Sequence, residues 1–119
     1  MRGFYIGTLG ALFTAVSAGV NGTTFFVVGD YGDVTNMVAP NMVFNAIDAV
    51  VQGAADESID KPEFFIACGD NIYPSNPSSP TTAEFNTMLG LFQRPNIASL
   101  PVYAIRGNHD SYFSWTDEL

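Results

Sequence analysis

Asp30, Asp70, Tyr73, Asn108, His109 and Asp110 are the residues of this sequence whose types and spacing could do chemistry together. They fall in three short clusters: Gly29-Asp30-Tyr31-Gly32-Asp33, Gly69-Asp70-Asn71-Ile72-Tyr73 and Gly107-Asn108-His109-Asp110. Each cluster opens on a glycine, which lets the backbone turn sharply and approach a ligand closely. Carboxylate, amide and phenol are hard oxygen donors, and carboxylates gathered with few cations repel one another unless something positive sits among them, so a bound metal is the economical solution. A phenolate beside carboxylates suits a strongly Lewis-acidic ion such as Fe(III). Tyr73 lies three residues after Asp70, close enough for both to reach one ion from a single loop. Asp70 could bridge to a second metal, with Asn108 supplying an amide oxygen. Two metals about 3.5–4 Å apart can clamp a phosphate and generate a hydroxide for in-line displacement. His109, beside that pair, could give a proton or hydrogen bond to the phosphoryl or leaving-group oxygen, with Asp110 placed to orient it.

The elements that must position these clusters read as β-α-β-α-β. Thr24 to Val28, Glu63 to Cys68 and Pro101 to Ile105 are short apolar runs rich in β-branched and aromatic residues, the pattern of strands buried on both faces. Between the first two, Val43, Ile47, Val50, Val51 and Ala54 recur at helical spacing, predicting a helix that starts around Pro40-Asn41 and ends in the acidic stretch Asp56 to Asp60. Between the last two, Thr81-x-x-Glu84 forms a capping box ahead of Phe85, Met88, Leu89 and Phe92 on one helical face. Tyr73 to Pro80, with three prolines and three serines, is a loop. Such connections imply right-handed crossovers and parallel strands. In a parallel sheet the carboxyl ends share one edge, so Asp30, Asp70 and Asn108 should meet in one crevice although about 40 residues separate successive clusters. Cys68 reads as a small buried strand residue, Tyr31 as a rim or packing residue, and Asp33, Asp56, Glu57 and Asp60 as a solvated acidic face, with Asp33 near enough to touch the outside of the site.

The sequence has 119 residues, 47% hydrophobic, which excludes a disordered chain and leaves room for one small domain. Four Lys plus Arg against twelve Asp plus Glu give a net charge of -8, which repels phosphate backbones and anionic lipid, so neither nucleic acid nor a membrane surface is an expected partner. A single cysteine forms no internal disulfide, and a single histidine cannot build a multi-histidine metal cage. Residues 1–18 read as a signal peptide: a positive start at Met1-Arg2, an uncharged apolar run, and small residues at Val16-Ser17-Ala18. An N-terminal membrane anchor is the competing reading. Asn21-Gly22-Thr23 is a possible glycosylation triplet, and the expected location is the secretory pathway, secreted or lysosomal, with no stable membrane association after cleavage.

Gly29-Asp30-Tyr31-Gly32, Gly69-Asp70-Asn71-Ile72-Tyr73 and Gly107-Asn108-His109-Asp110 resemble, in order, the first three signature blocks of the purple acid phosphatases, G-D-x-G, G-D-x-x-Y and G-N-H-D/E. Other metallophosphoesterases usually carry a histidine ligand where Gly32 stands. The wording around Gly69 to Tyr73 is most similar to the small, tartrate-resistant type. The resemblance implies an acid phosphatase hydrolysing phosphate monoesters, with Fe(III) on Asp30 and Tyr73, Asp70 bridging, Asn108 on a divalent partner (Fe, Zn or Mn), and His109 just outside the metals. It implies that residues 24–119 form the N-terminal β-α-β-α-β half of an α/β/β/α sandwich. The family's last two blocks, V-x-x-H and G-H-x-H, have no counterpart here. The chain is therefore expected to be an incomplete domain, inactive alone, with an apolar sheet face uncovered. Two other functions stay open: an inactive secreted binding module that keeps half the fold, and an acidic calcium-binding or adhesion domain.

Overall fold

The structure is a computed structural model that describes residues 2–8, 11–17, 23–54, 60–76 and 80–112, with the backbone alone over 2–17. The elements run β1 (Arg2–Thr8), β2 (Ala11–Ser17), β3 (Phe25–Gly29), α1 (Val38–Gly53), β4 (Phe64–Ala67), α2 (Thr82–Leu89) and β5 (Val102–Ala104), with 3-10 turns at Gly90–Phe92 and His109–Tyr112. They form one five-stranded sheet in the order β1-β2-β3-β4-β5. Strands β3, β4 and β5 are parallel, in the register Val27 opposite Ile66 and Ile66 opposite Tyr103. The α/β fold with a parallel three-stranded sheet is the architecture the apolar runs and helical periods predict.

The hairpin β1-β2 is not legible in the sequence. It pairs antiparallel with β3, Val16 facing Phe25 and Leu12 facing Gly29, and so occupies the sheet edge beside β3. It covers most of the predicted leader. The cleavage position after Ala18, the Asn21 triplet, and Asp56 and Glu57 lie outside the described residues. Among the described residues no helix is long and apolar enough to cross a membrane.

Both helices pack on one face of the sheet. Phe26 and Val28 of β3 and Phe65 and Ala67 of β4 meet Val43, Phe44, Ile47 and Val51 of α1 and Met88, Leu91 and Phe92 from α2 and the turn after it. The centre is aromatic: Phe44 and Phe92 stand edge to face at 4.8 Å, and Phe65 and Phe92 at 5.3 Å. Such pairs contribute about 0.5–1.5 kcal/mol each beyond the area they bury. Consecutive right-handed crossovers between neighbouring parallel strands put both helices on the same side.

Burial therefore alternates, where the sequence predicts strands covered on both faces. Phe25, Val27, Phe64 and Ile66 are only half-buried, and β5 is exposed throughout. Phe25 stacks on Phe64 at 5.0 Å and Phe64 meets Tyr103 edge-on at 5.6 Å, so the second face carries an aromatic row without a covering layer among the described residues. Leu89 also departs from expectation and is exposed, because the chain tightens into a 3-10 turn at Gly90 and carries Leu91 and Phe92 inward instead. Helix α1 begins at Val38, two residues earlier than predicted. Pro40 then falls in its first turn, where its missing N–H has no intrahelical partner to lose.

The predicted capping box is present at α2. Thr81 Oγ1 accepts from Glu84 N, and the Glu84 carboxylate accepts from Thr81 N and Ser75 N, each at 2.8 Å. These backbone donors, Thr81 first, hold the Glu84 carboxyl down at about 2, against an ordinary 4.5. A depressed carboxyl contributes its full anchoring above its unfolded pKa and loses it as pH falls through the folded one. The Tyr73–Ser75 segment and the start of α2 should therefore loosen between about pH 4.5 and 2. Amide exchange at Ser75 and Thr81 should rise over that window, beyond the intrinsic pH effect. In Glu84→Gln the rise should be absent because the amide does not titrate.

Candidate metal centre

The polar clusters follow the strands, and the chain turns abruptly at each carboxyl end. Asp30, one residue past β3, has φ 54°; Gly69 and Asp70, just past β4, have φ 97° and 49°. Left-handed backbone at a residue other than glycine costs about 1–2 kcal/mol, least for Asp and Asn, and such strain collects where a side chain must be aimed at a ligand. The two turns are tied together: Asp30 N donates to Gly69 O at 3.3 Å and Cys68 N to Val28 O at 2.7 Å. Further out, Tyr73 N donates to Gly32 O at 2.9 Å, making a parallel bridge between Asp33 and Tyr73.

That bridge brings the Tyr73 ring over the first cluster. Its hydroxyl donates to Asp30 Oδ1 in a short hydrogen bond and lies 3.0 Å from Asp70 Oδ2. Burial, the hydrogen bonds to Asp30 and Asp70, and their charges push the Tyr73 phenol well above its ordinary 10, so without a cation it keeps its proton. His109 sits against Tyr73, ring centroids 4.5 Å apart, and its backbone N–H donates to Asp70 Oδ1 at 3.0 Å. Asn108 reaches the same place from the third cluster: a cavity of about 330 Å³ is lined by Asp30, Cys68, Asp70, Gly107 and Asn108. The convergence predicted for Asp30, Asp70 and Asn108 at one sheet edge is thus what the fold produces, with the Tyr73 hydroxyl on Asp30 and Asp70.

Asp110 has a different setting from the one predicted. It is fully buried, and its carboxylate accepts from the Asn71 backbone and side-chain amides, Ile72 N and Gly107 N at 2.7–3.1 Å. Its oxygens thus grip the Gly69–Tyr73 loop from the third cluster, which positions Asp70 and Tyr73. Asn71 is the residue the sequence reading missed. Buried at 1% exposure, it donates to Asp110 and to Ile105 O at 2.8 Å and accepts from Tyr31 OH at 2.9 Å. The signal available for it was its place between Asp70 and Tyr73, which says nothing of burial. Tyr31 is a core residue, not a rim residue, edge to face with Phe44 and Phe92, and burial first and Asp110 second push its phenol above its ordinary 10. Cys68 is exposed, against the prediction of burial, because it continues the half-open register of Phe64 and Ile66 one residue beyond the strand.

Three glycines, Gly32, Gly69 and Gly107, carry the close approaches. A Cβ on Gly107 would overlap the Asp70 backbone N and Oδ1, and one on Gly32 would overlap the Asn71 carbonyl. Because the obstruction at Gly32 is backbone, neither side can yield, and Gly32→Ala should cost at least about 3 kcal/mol, the upper end of ordinary overpacking. Urea unfolding of the two proteins measures it; a loss below 1 kcal/mol would show that the loops separate freely.

Residues 23–119 match the calcineurin-like phosphoesterase family, and the chain belongs to it. Neither the curated proteins nor the solved structures gave a match. Membership assigns phosphoester hydrolysis by a metal-dependent hydrolase, in a family that uses divalent metals. Among the described residues no three His, Cys, Asp or Glu side chains are grouped to hold a metal. The donors that do meet are two carboxylates and a phenol, with an amide across the cavity, and this all-oxygen set fits a hard cation. Any side chain at position 32 would run into the Asn71 carbonyl; glycine there lets the Asn71–Tyr73 loop close down, with Tyr73 beside Asp30.

Proposed function

We propose that this phosphoesterase is a purple acid phosphatase, hydrolysing phosphate monoesters at a dinuclear centre of Fe(III) and a divalent Fe, Zn or Mn. The observation that carries the reading is the Tyr73 hydroxyl lying between Asp30 and Asp70, which come from different strand ends. Asp30 and Tyr73 would hold the trivalent ion, Asp70 would bridge, and Asn108 would hold the divalent one. The metals, when bound, supply Lewis acidity toward the phosphoryl group and acidify a water. The chain's own part is to orient and to move a proton. His109, against Tyr73, is within the same group of side chains and would donate to the leaving-group oxygen. Asp110 would act through the Asn71–Tyr73 loop as a positioning residue.

Three histidine ligands that the purple acid pattern supplies have no source in a sequence with one histidine, so residues 1–119 by themselves should turn over no phosphate ester. The secretory route, with a leader ending at Ala18 and a secreted or lysosomal destination, belongs to the same proposal. The test is metal analysis and visible absorption of the iron-loaded protein supplied with the remaining ligands. A tyrosinate-to-iron charge-transfer band that disappears in Tyr73→Phe while iron stays bound is the expected result. A colourless protein of equal iron content would overturn the purple acid assignment.

A further inference from the structure

A second cavity opens on the other side of Asp30. It has a volume of about 520 Å³, within the range of small-molecule sites, and runs between the Asp33–Asn36 turn, the first turn of α1 and the Tyr73–Ser75 segment. Asp30 and Tyr73 line it and also belong to the metal centre, so the ester substituent of a phosphoryl group held there can enter it. The geometry points to this cavity as the leaving-group pocket, selecting phosphate monoesters whose alcohol carries an ammonium group. The inference rests on the phosphoesterase reading of Asp30, Asp70 and Tyr73 given above.

The selectivity follows from the lining. Among the described residues it contains Asp30 and Asp33 and no Lys, Arg or His. Asp33 is held in place locally: its Oδ1 accepts from Thr35 N at 3.0 Å and from Thr35 Oγ1 at 2.6 Å. Both bonds fall on one oxygen, and the lone pairs of Oδ2 remain for a ligand. The Tyr73 ring supplies an aromatic wall, the second kind of group that attracts an ammonium. The opposing contribution comes from the start of α1, whose free N–H ends amount to about +0.5 of a charge. Asn36 Oδ1 accepts from Val38 N there, at 3.4 Å. The full negative charge of Asp33 exceeds that fraction, and metal ions would neutralise Asp30 but leave Asp33 unaffected. An anionic leaving group would meet a carboxylate with no compensating base, in a protein whose net charge is already -8.

Choline and 3,3-dimethylbutanol have the same shape and differ in charge, and titrating each into the labelled full chain separates charge from fit. Choline should shift the amides of Asp33, Thr35, Asn36 and Ser75 and bind at least about fivefold more tightly than the uncharged alcohol. Asp33→Asn retains the Oδ1 acceptor for Thr35, so the turn survives and the preference should fall to what Asp30 and the Tyr73 ring contribute. Equal binding of the two alcohols, shifts elsewhere on the surface, or a preference unchanged in Asp33→Asn would overturn the assignment. Phosphocholine and 3,3-dimethylbutyl phosphate, offered to the metal-loaded protein supplied with the remaining histidine ligands, distinguish this failure from a failure of the underlying reading. Hydrolysis of both at one rate refutes the pocket and leaves the phosphatase standing. Hydrolysis of neither, with choline still bound, refutes the phosphatase and with it the leaving-group role.

Discussion

Asp110→Ala should lose about 3–5 kcal/mol of stability, the usual result of removing one side of a buried charged network. The carboxylate is fully buried, and four N–H groups converge on it, from the Asn71 backbone and side chain, Ile72 and Gly107. Alanine would leave those donors inside the protein with no acceptor, at about 1–3 kcal/mol for each that water cannot reach. Set against the 5–15 kcal/mol typical of a whole domain, roughly, the loss approaches global unfolding. Asp110→Asn is the informative companion. It preserves volume and one acceptor but turns an NH₂ toward donors, so it should fold with a smaller loss and a loosened Asn71–Tyr73 loop. Urea unfolding gives the energies, and amide exchange at Asn71 and Ile72 gives the local effect. A loss under 1 kcal/mol in the alanine variant would show that the network is not what fixes the loop.

The second large effect is on metal. On the dinuclear reading proposed above, Asp70→Asn should lose both ions, with affinity down by more than about 100-fold, the upper end of what is seen even for outer partners of metal ligands. Misfolding is not a competing explanation. Position 70 has φ 49°, a left-handed conformation that asparagine adopts as readily as aspartate, and the amide oxygen can still accept from His109 N. What changes is charge: a neutral amide between Tyr73 and the sheet edge cannot bridge two cations. Metal content after gel filtration, together with circular dichroism to verify the fold, measures both sides. Retention of both metals would remove Asp70 from the proposed bridging role.

Much of this was legible beforehand because it rests on local chemistry. The capping box at Thr81 and Glu84 needs only residues three apart, and the helical spacing of Val43, Ile47 and Val51 marks the face of α1 that meets the sheet. The convergence of Asp30, Asp70 and Asn108 follows from parallel strands sharing an edge. What was not legible depends on which surfaces meet. Apolar runs such as Phe25–Val28 and Phe64–Ala67 look alike whether one face is covered or both, so the half-open second face was expected only from the resemblance to half of a two-sheet sandwich and not from the runs themselves. The exposure of Cys68 and Leu89 turns on strand register and on where a helix tightens, each a shift of one residue. The pairing of β1 with β2 and of β2 with β3 was not legible either, since an apolar segment reads as a leader from composition alone.

The sequence by itself determined the order of elements, the glycine-led turns and the identity of the oxygen donors, because periodicity, backbone freedom and side-chain chemistry are properties of neighbouring residues. Only the tertiary structure decided how those donors are held. Tyr31, Asn71 and Asp110, each about 40 residues from the next, join in one buried network, and Tyr73 reaches Asp30 because Gly32 lets the two loops touch. Contacts between residues far apart in the chain arise only when the fold closes, and that closing turned three separate clusters into one site.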